Sequence, residues 1–461
     1  MKNTIISAFE QEIGAEKVLT GEAVRQRFNH IWHTDKSLNV KAVLLPHSTE
    51  DVAQIMKICH KYEQAVVVHG GLTNLVGSTE THPDEVVISM ERLNVIEEVD
   101  RESRTMSVQA GVILASIQDT AKENELFFPL NFGAKGSAQI GGIVSTNAGG
   151  LRVFRYGMTR NLVLGLEVVL ADGTIISSMK KIIKDNSGYD LKQLFIGSEG
   201  TLGVITKVVL KLVEAPQSRN SVFVGINNYG DVVRFLKYMD RGLAGTLSGY
   251  ELIWNASYKV MTSPPATPKP PLNYGYKYYV LLESLGSNYE KDHKLLVQLL
   301  ETAVLQNMIQ DAVVADNDTD LNWFWTIRED TGILASQCTY NQRFDISIPI
   351  PLIGSVVENI TTALSKVKGV EQIFPFGHIA DGNIHFVVGK ATEDQTLTQE
   401  INDIVYAPLK KIGGSVSAEH GIGLYKKNYL HLCRTPAEIQ LMKTIKQALD
   451  PQNILNRGKV I

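Results

Sequence analysis

Glycine is spread unevenly along this chain, and that unevenness constrains the fold more than any other feature. Between Val66 and Gly203 it recurs in clusters bounded by β-branched runs, among them His69-Gly70-Gly71-Leu72-Thr73-Asn74, Gly133 to Gly142, Gly149-Gly150 and Gly197-Ser198-Glu199-Gly200-Thr201-Leu202-Gly203. From about Ser221 onward glycine thins out, and strand patterns alternate with amphipathic helical ones. One glycine usually marks a backbone position that needs positive φ. A plain fold has no need to gather so many between strands in one half. Gly70-Gly71 follows the apolar run Val66-Val67-Val68, where bare backbone N–H groups can approach a diphosphate closely. The G-x-G-x-x-G spacing of a Rossmann unit is absent.

The rest of the chain reads as ordinary globular protein. With 461 residues, two or three domains are expected, and the proline-bearing stretch Glu214-Ala215-Pro216-Gln217-Ser218 is a candidate boundary. Hydrophobic residues make up 44% and charged residues 20%, which argues against broad disorder. The balance of 45 basic to 49 acidic residues gives no electrostatic basis for nucleic-acid binding. The first ten residues lack a signal-peptide core, no run is long enough to span a membrane, and three scattered cysteines make no disulfide framework. These features suggest a cytoplasmic protein, with peripheral membrane association left open. Strands are expected over Ala42–Leu45, Val66–Val68, Val163–Leu170, Val204–Leu212, Tyr276–Leu282 and Phe344–Ile350, and helices over Lys291–Met308 and Pro436–Leu449.

His378 and His385 stand seven residues apart across Ala380-Asp381-Gly382-Asn383, which has tight-turn chemistry. If those four residues form the loop of an antiparallel hairpin, His378 faces His385, and directly opposed Cβ atoms lie about 5 Å apart. Two such imidazoles can converge on one divalent metal. Glu419, in Ser417-Ala418-Glu419-His420-Gly421, is a candidate third ligand. Two imidazoles and one carboxylate suit Zn²⁺ first, then Mn²⁺ or Fe²⁺, with open coordination positions. The alternative is a cross-strand packed pair.

Taken together, Gly133 to Gly142, Thr146-Asn147-Ala148-Gly149-Gly150-Leu151-Arg152, Arg155-Tyr156-Gly157, Lys184 to Asp190, Gly197 to Gly203 and the two histidine strings closely resemble the flavin-dependent D-2-hydroxy acid dehydrogenases. That group, of the vanillyl-alcohol oxidase type, includes D-lactate and D-2-hydroxyglutarate dehydrogenases and the glycolate oxidase catalytic subunit. The resemblance runs from about Val43 to the C-terminus. It implies an α+β fold, with a two-part FAD-binding domain of this type (the p-cresol methylhydroxylase, or PCMH, type) over residues 1–215. A cap domain over 216–415 would carry an antiparallel sheet covered by helices, and 416–461 would return to the FAD domain.

By the same resemblance, His69, Gly70, Gly71, Leu72, Thr73 and Asn74 would hold the FAD diphosphate. Pro129, Gly136, Ser137, Gly141, Gly142, Thr146, Asn147 and Gly149 would line the ribityl chain and isoalloxazine, and Glu199, Gly200 and Ile205 would lie near the adenosine. Leu72 and Thr73 stand where covalent relatives carry histidine, so the FAD is expected to be non-covalent, with His69 a polar loop residue. Oxidising a hydroxy acid needs a base for the hydroxyl proton, and His420 is the natural candidate. Arg328 matches a family position associated with substrate carboxylate recognition, and Arg343 falls where relatives often have Lys or Arg; a guanidinium pairs well with a carboxylate. For each the alternative is an ordinary surface arginine, paired in the case of Arg328 with Glu329 or Asp330.

The strings Thr146–Arg152, Arg155–Gly157 and Lys184–Gly203 look most like those of D-2-hydroxyglutarate dehydrogenases, which implies D-2-hydroxyglutarate as substrate; Val387, apolar beside the hairpin, makes D-lactate the alternative, with glycolate a further one. An electron-transfer flavoprotein, a quinone or a cytochrome would accept the electrons, and oligomerisation is left open. A metal-dependent hydrolase and a non-redox flavoprotein are the more distant readings.

Overall fold

Ala42-Val43-Leu44 and Val66-Val67-Val68 lack alternation, the pattern of strands buried on both faces. In the computed structural model, which describes residues 2–32, 34 and 36–461, both lie in a largely parallel sheet. Its strands are β1 (Val18–Leu19), β2 (Ala42–Leu44), β3 (Val66–His69) and β4 (Val86–Ser89), in the order β1-β2-β4-β3. The intervening Thr49–Lys61 helix starts where Ser48 accepts the Asp51 N–H at 3.0 Å, a cap worth about 1 kcal/mol. Val52, Ile55, Met56 and Cys59 line its buried face. Each such aliphatic side chain contributes about 1.5–3 kcal/mol on burial.

The contacts divide the chain into two units. The first comprises Met1–Gly150, Gly157–Ala215 and Glu419–Ile461; the second comprises Leu151–Tyr156 and Pro216–Ala418. The first unit holds a second, antiparallel sheet made of β5 (Ile96–Asp100), β6 (Thr105–Gln109), β8 (Val163–Val169), β9 (Ile175–Ser178) and β10 (Val204–Lys211), ordered β5-β6-β10-β8-β9. A small ribbon pairs β7 (Leu126–Phe127) with β11 (Val213–Glu214). The C-terminal segment docks on this unit through Asn456, whose Oδ1 accepts the Val68 N–H and whose Nδ2 donates to the Glu199 carbonyl at 2.7 Å.

The second unit is built on seven antiparallel strands. They are β12 (Ser218–Ile226), β13 (Leu247–Trp254), β14 (Tyr278–Gly286), β15 (Asp311–Val314), β16 (Tyr340–Ser347), β17 (Val370–His378) and β18 (Asn383–Lys390), ordered β15-β12-β14-β13-β17-β18-β16. One face packs against the Asp318–Glu329 helix, with Phe324 set edge-on to Phe223 at 5.3 Å. On the other, Tyr250 reaches the Tyr229–Leu243 helix and donates to the Val232 carbonyl. Among the described residues no helix is long and apolar enough to cross a membrane.

Two expectations about the hairpin and one about the glycine loop are corrected. The connection between β17 and β18 is Ile379–Gly382, not Ala380–Asn383, because Gly382 takes the left-handed conformation (φ 83°) and Asn383 already pairs as strand. His378 therefore faces Asn383, and Phe376 faces His385. His69 is no polar loop residue; it ends β3, is buried, and bonds the Thr79 carbonyl through Nε2 at 2.9 Å.

Gly71 is the most crowded glycine of the 70–74 loop: a Cβ there would lie 2.0 Å from the Ser137 carbonyl oxygen, whereas one at Gly136 meets nothing within 4 Å. Gly71→Ala should therefore cost about 1–3 kcal/mol of stability, and Gly136→Ala about 0.5 kcal/mol or less. Equal melting temperatures for the two variants would contradict this packing.

Candidate functional site

In the second unit, alternation along four neighbouring strands gathers polar side chains on one sheet face. Cross-strand pairing runs Glu251–His378–Asn383–Ser347 across β13, β17, β18 and β16. One step along lies the row Ile253–Phe376–His385–Asp345, and beyond it Phe374–Val387–Arg343. The intervening row, Leu252–Gly377–Ile384–Ile346, points to the opposite face and is apolar. His378 and His385 are diagonal neighbours on this face, with ring centroids 5.3 Å apart. The expected convergence survives the shift in register, because diagonal cross-strand neighbours remain in reach.

Glu251 organises the face. It is fully buried; its Oε1 lies 2.6 Å from His378 Nδ1 and its Oε2 accepts the Arg328 Nε–H at 2.6 Å. Burial alone would raise this carboxyl, but His378 and Arg328 outweigh it and hold it below the usual range. An ionised Glu251 can only accept, so His378 Nδ1 carries a hydrogen toward it, the carboxylate–histidine pairing that commonly orients a metal-binding histidine. Arg328 is accordingly not a surface arginine paired with Glu329 or Asp330. It is buried, with its guanidinium 5.0 Å from the centre of the Phe376 ring. Arg343 is exposed, on the same sheet face and next to the buried Val387.

Two more carboxylates hold the chain on either side of Glu419-His420-Gly421. In the second unit, buried Asp345 accepts the Ala418 N–H at 3.2 Å and the Ser417 hydroxyl at 3.3 Å. In the first, buried Glu199 accepts the N–H groups of Ile422 at 2.7 Å and Gly423 at 2.9 Å, and the Ser78 hydroxyl at 2.8 Å. Burial pushes the Glu199 carboxyl up despite these donors. Gly421 lies so close that a Cβ there would sit 2.8 Å from the Glu199 carboxyl carbon. The Asp381 carboxylate caps its own turn, accepting the Asn383 N–H at 3.2 Å, and burial raises it to about 6.

The glycine-rich residues divide into groups. Gly70 and Gly71 approach the Ser137–Gly142 stretch, and Gln139 Oε1 beside Gly70 is buried without a hydrogen-bond partner. Positions 136 and 142 face open space where a Cβ would meet nothing within 4 Å. Gly141 instead packs on Ala110. An unsatisfied acceptor beside bare backbone and open volume fits a bound polar cofactor. Leu72 and Asn147 take left-handed conformations, Thr73 lies in the loop after β3 and Pro129 is buried. Asn74 spends its side chain on its own loop, accepting the Val76 and Ser78 N–H groups and donating to Thr79. Thr146 donates back to the Gly142 carbonyl, and Gly149 is buried. The Glu199 side chain is committed to the C-terminal segment, Gly200 lies against Asn456, and Ile205 belongs to the core.

Sequence reasoning passed over Glu251, Asp345 and Gln139. An acidic residue inside an otherwise apolar strand, as in Tyr250-Glu251-Leu252-Ile253 and Phe344-Asp345-Ile346, is the signal that could have found the first two.

Burial pushes the His69 ring down from 6.5 to about 4. The unfolded chain therefore binds more protons between those values, so stability is complete above about pH 6.5 and is lost as the pH falls through 4. The His69 ring should show no NMR titration between about pH 8 and 5.5; a midpoint near its ordinary value would contradict its burial.

Residues 40–178 match the model of an FAD binding domain, and 215–460 match the C-terminal domain of FAD linked oxidases. The chain is 34% identical to the D-2-hydroxyglutarate–pyruvate transhydrogenase of Saccharomyces cerevisiae, over 99% of this chain and 94% of that one. It is 36% identical to the mitochondrial D-2-hydroxyglutarate dehydrogenase of Danio rerio (91% and 78%), and 35% to a putative D-lactate dehydrogenase of Schizosaccharomyces pombe (95% and 84%). Among solved structures, p-cresol methylhydroxylase shares the fold at a TM-score of 0.74 and 14% identity, covering 99% of this chain and 96% of that one. With both halves matched and relatives aligned along nearly the whole length, the chain belongs to the FAD-linked oxidases and is an FAD-dependent oxidoreductase.

Proposed function

We propose that the protein oxidises a D-2-hydroxy acid, D-2-hydroxyglutarate before others, to the 2-oxo acid. The observation that carries this reading is the buried polar face, where Glu251 ties His378 to Arg328. The names of the relatives support the substrate class. The Gly70-Gly71 and Ser137–Gly142 segments would hold FAD non-covalently, and it would supply the hydride acceptor. His378, His385 and Glu419 would hold a divalent cation, with Zn²⁺ the first candidate and Mn²⁺ or Fe²⁺ also accommodated, which supplies Lewis-acid polarisation of the hydroxyl.

The remaining work falls to the chain's own side chains. His420, in the segment fixed by Asp345 and Glu199, takes the hydroxyl proton. Arg328, oriented through Nε by Glu251, and Arg343 bind carboxylate. Two guanidinium groups suit two carboxylates, which favours hydroxyglutarate. Val387 beside Arg343 and the relative named as a D-lactate dehydrogenase support D-lactate as the second reading. The electrons then leave to an external acceptor such as an electron-transfer flavoprotein, a quinone or a cytochrome.

The test is anaerobic bleaching of the flavin by paired D- and L-2-hydroxy acids. D-2-hydroxyglutarate should reduce the flavin fastest, its L-enantiomer should leave it oxidised, and faster reduction by D-lactate would select the second reading. His420→Ala should keep its flavin and slow reduction by about 100-fold or more. Undiminished reduction would remove His420 from the reaction.

A further inference from the structure

Asn383 is 3% exposed, and neither its Oδ1 nor its Nδ2 has a hydrogen-bond partner. Leaving a buried polar group unsatisfied costs about 1–3 kcal/mol, and such groups in folded proteins are nearly always paired. The turn before it does not account for the residue. Gly382 takes the left-handed position, where a Cβ would also lie 2.7 Å from the Ile348 carbonyl oxygen, and Asp381 supplies the local cap. Turn chemistry is thus complete without an amide at 383, and an apolar side chain of similar volume would leave nothing unpaired.

Its position on the sheet gives the amide a task. Asn383 is paired with His378 on one side and Ser347 on the other, and stands two residues before His385 on the same strand. It therefore shares the face that carries His378, His385 and Asp345. The cations there bind an anion by charge. A carboxamide adds a neutral donor and an acceptor, which suits a carboxylate accompanied by a hydroxyl or a water.

We propose that Asn383 is a substrate-contacting residue whose Nδ2–H donates to a carboxylate oxygen of the anion bound at the His378/His385 face. The proposal rests on reading that face as the hydroxy-acid site. It adds one discriminating hydrogen bond to the arginines, and it predicts that the bond serves binding more than chemistry.

Oxalate, which offers carboxylates and no oxidisable carbon, is the probe. Its dissociation constant is measured on the flavin-loaded protein from the perturbed flavin spectrum, alongside flavin and metal content. In Asn383→Leu and in Asn383→Asp, which keeps the side-chain size, flavin and metal content should match the parent while oxalate binds at least tenfold more weakly. The KM for the hydroxy acid should rise more than kcat falls. Oxalate binding within twofold of the parent in either variant would overturn the proposal. So would no oxalate binding by the parent, or loss of metal in both variants, which would make the amide part of the metal's surroundings. If no 2-hydroxy acid bleaches the flavin but oxalate affinity still depends on Asn383, the substrate assignment fails and the subsite stands.

Discussion

One buried carboxylate sets the terms for the second unit. Glu251 sits in the middle of a seven-stranded sheet with no exposed surface, which is tolerable only because both oxygens are engaged, one by His378 and one by Arg328. Removing a single partner from such an arrangement typically costs about 3–5 kcal/mol, because the remaining charge stays buried. The constraint therefore runs both ways. Glu251 requires a hydrogen on Nδ1 of His378, and it locks the guanidinium of a residue on a separate helix. Arg328 is further held over the Phe376 ring, whose strand also carries His378. Chemistry at this face inherits its geometry from that three-residue chain.

The segment bearing Glu419 and His420 is governed by a related device. Asp345 accepts the Ser417 hydroxyl and the Ala418 N–H just before it, and Glu199 accepts the N–H groups of the second and third residues after His420. Only three residues separate the grips in sequence. Each buried acceptor thereby fixes the backbone on its own side of the segment, within its own unit.

Much of this was legible in the sequence because it depends on local patterning. The boundary near Pro216 and the Pro436–Leu449 helix, with its Thr435–Glu438 capping box, follow from residue chemistry within a few positions. The histidine pair was legible too, but its register was not. Four-residue loops over 379–382 or 380–383 satisfy the same spacing, and the choice turns on which residue takes positive φ. Glu251 could not be reached by local reasoning: its partner His378 lies 127 positions away, and only sheet order brings them together. Composition places Asn383 in the turn, which hides its position on the strand face. Residue chemistry makes Arg328 a substrate ligand or a surface residue, and neither anticipates burial against Glu251.

The proposal most open to test is that the His378/His385 face binds one divalent cation. The most direct measurement is metal stoichiometry of the flavin-loaded protein after zinc loading and desalting, compared with the His378→Ala/His385→Ala double variant. One zinc per chain is expected in the parent and none in the variant, with flavin retained in both. Stoichiometric zinc in the double variant, or none in the parent while D-2-hydroxy acids still bleach its flavin, would contradict it.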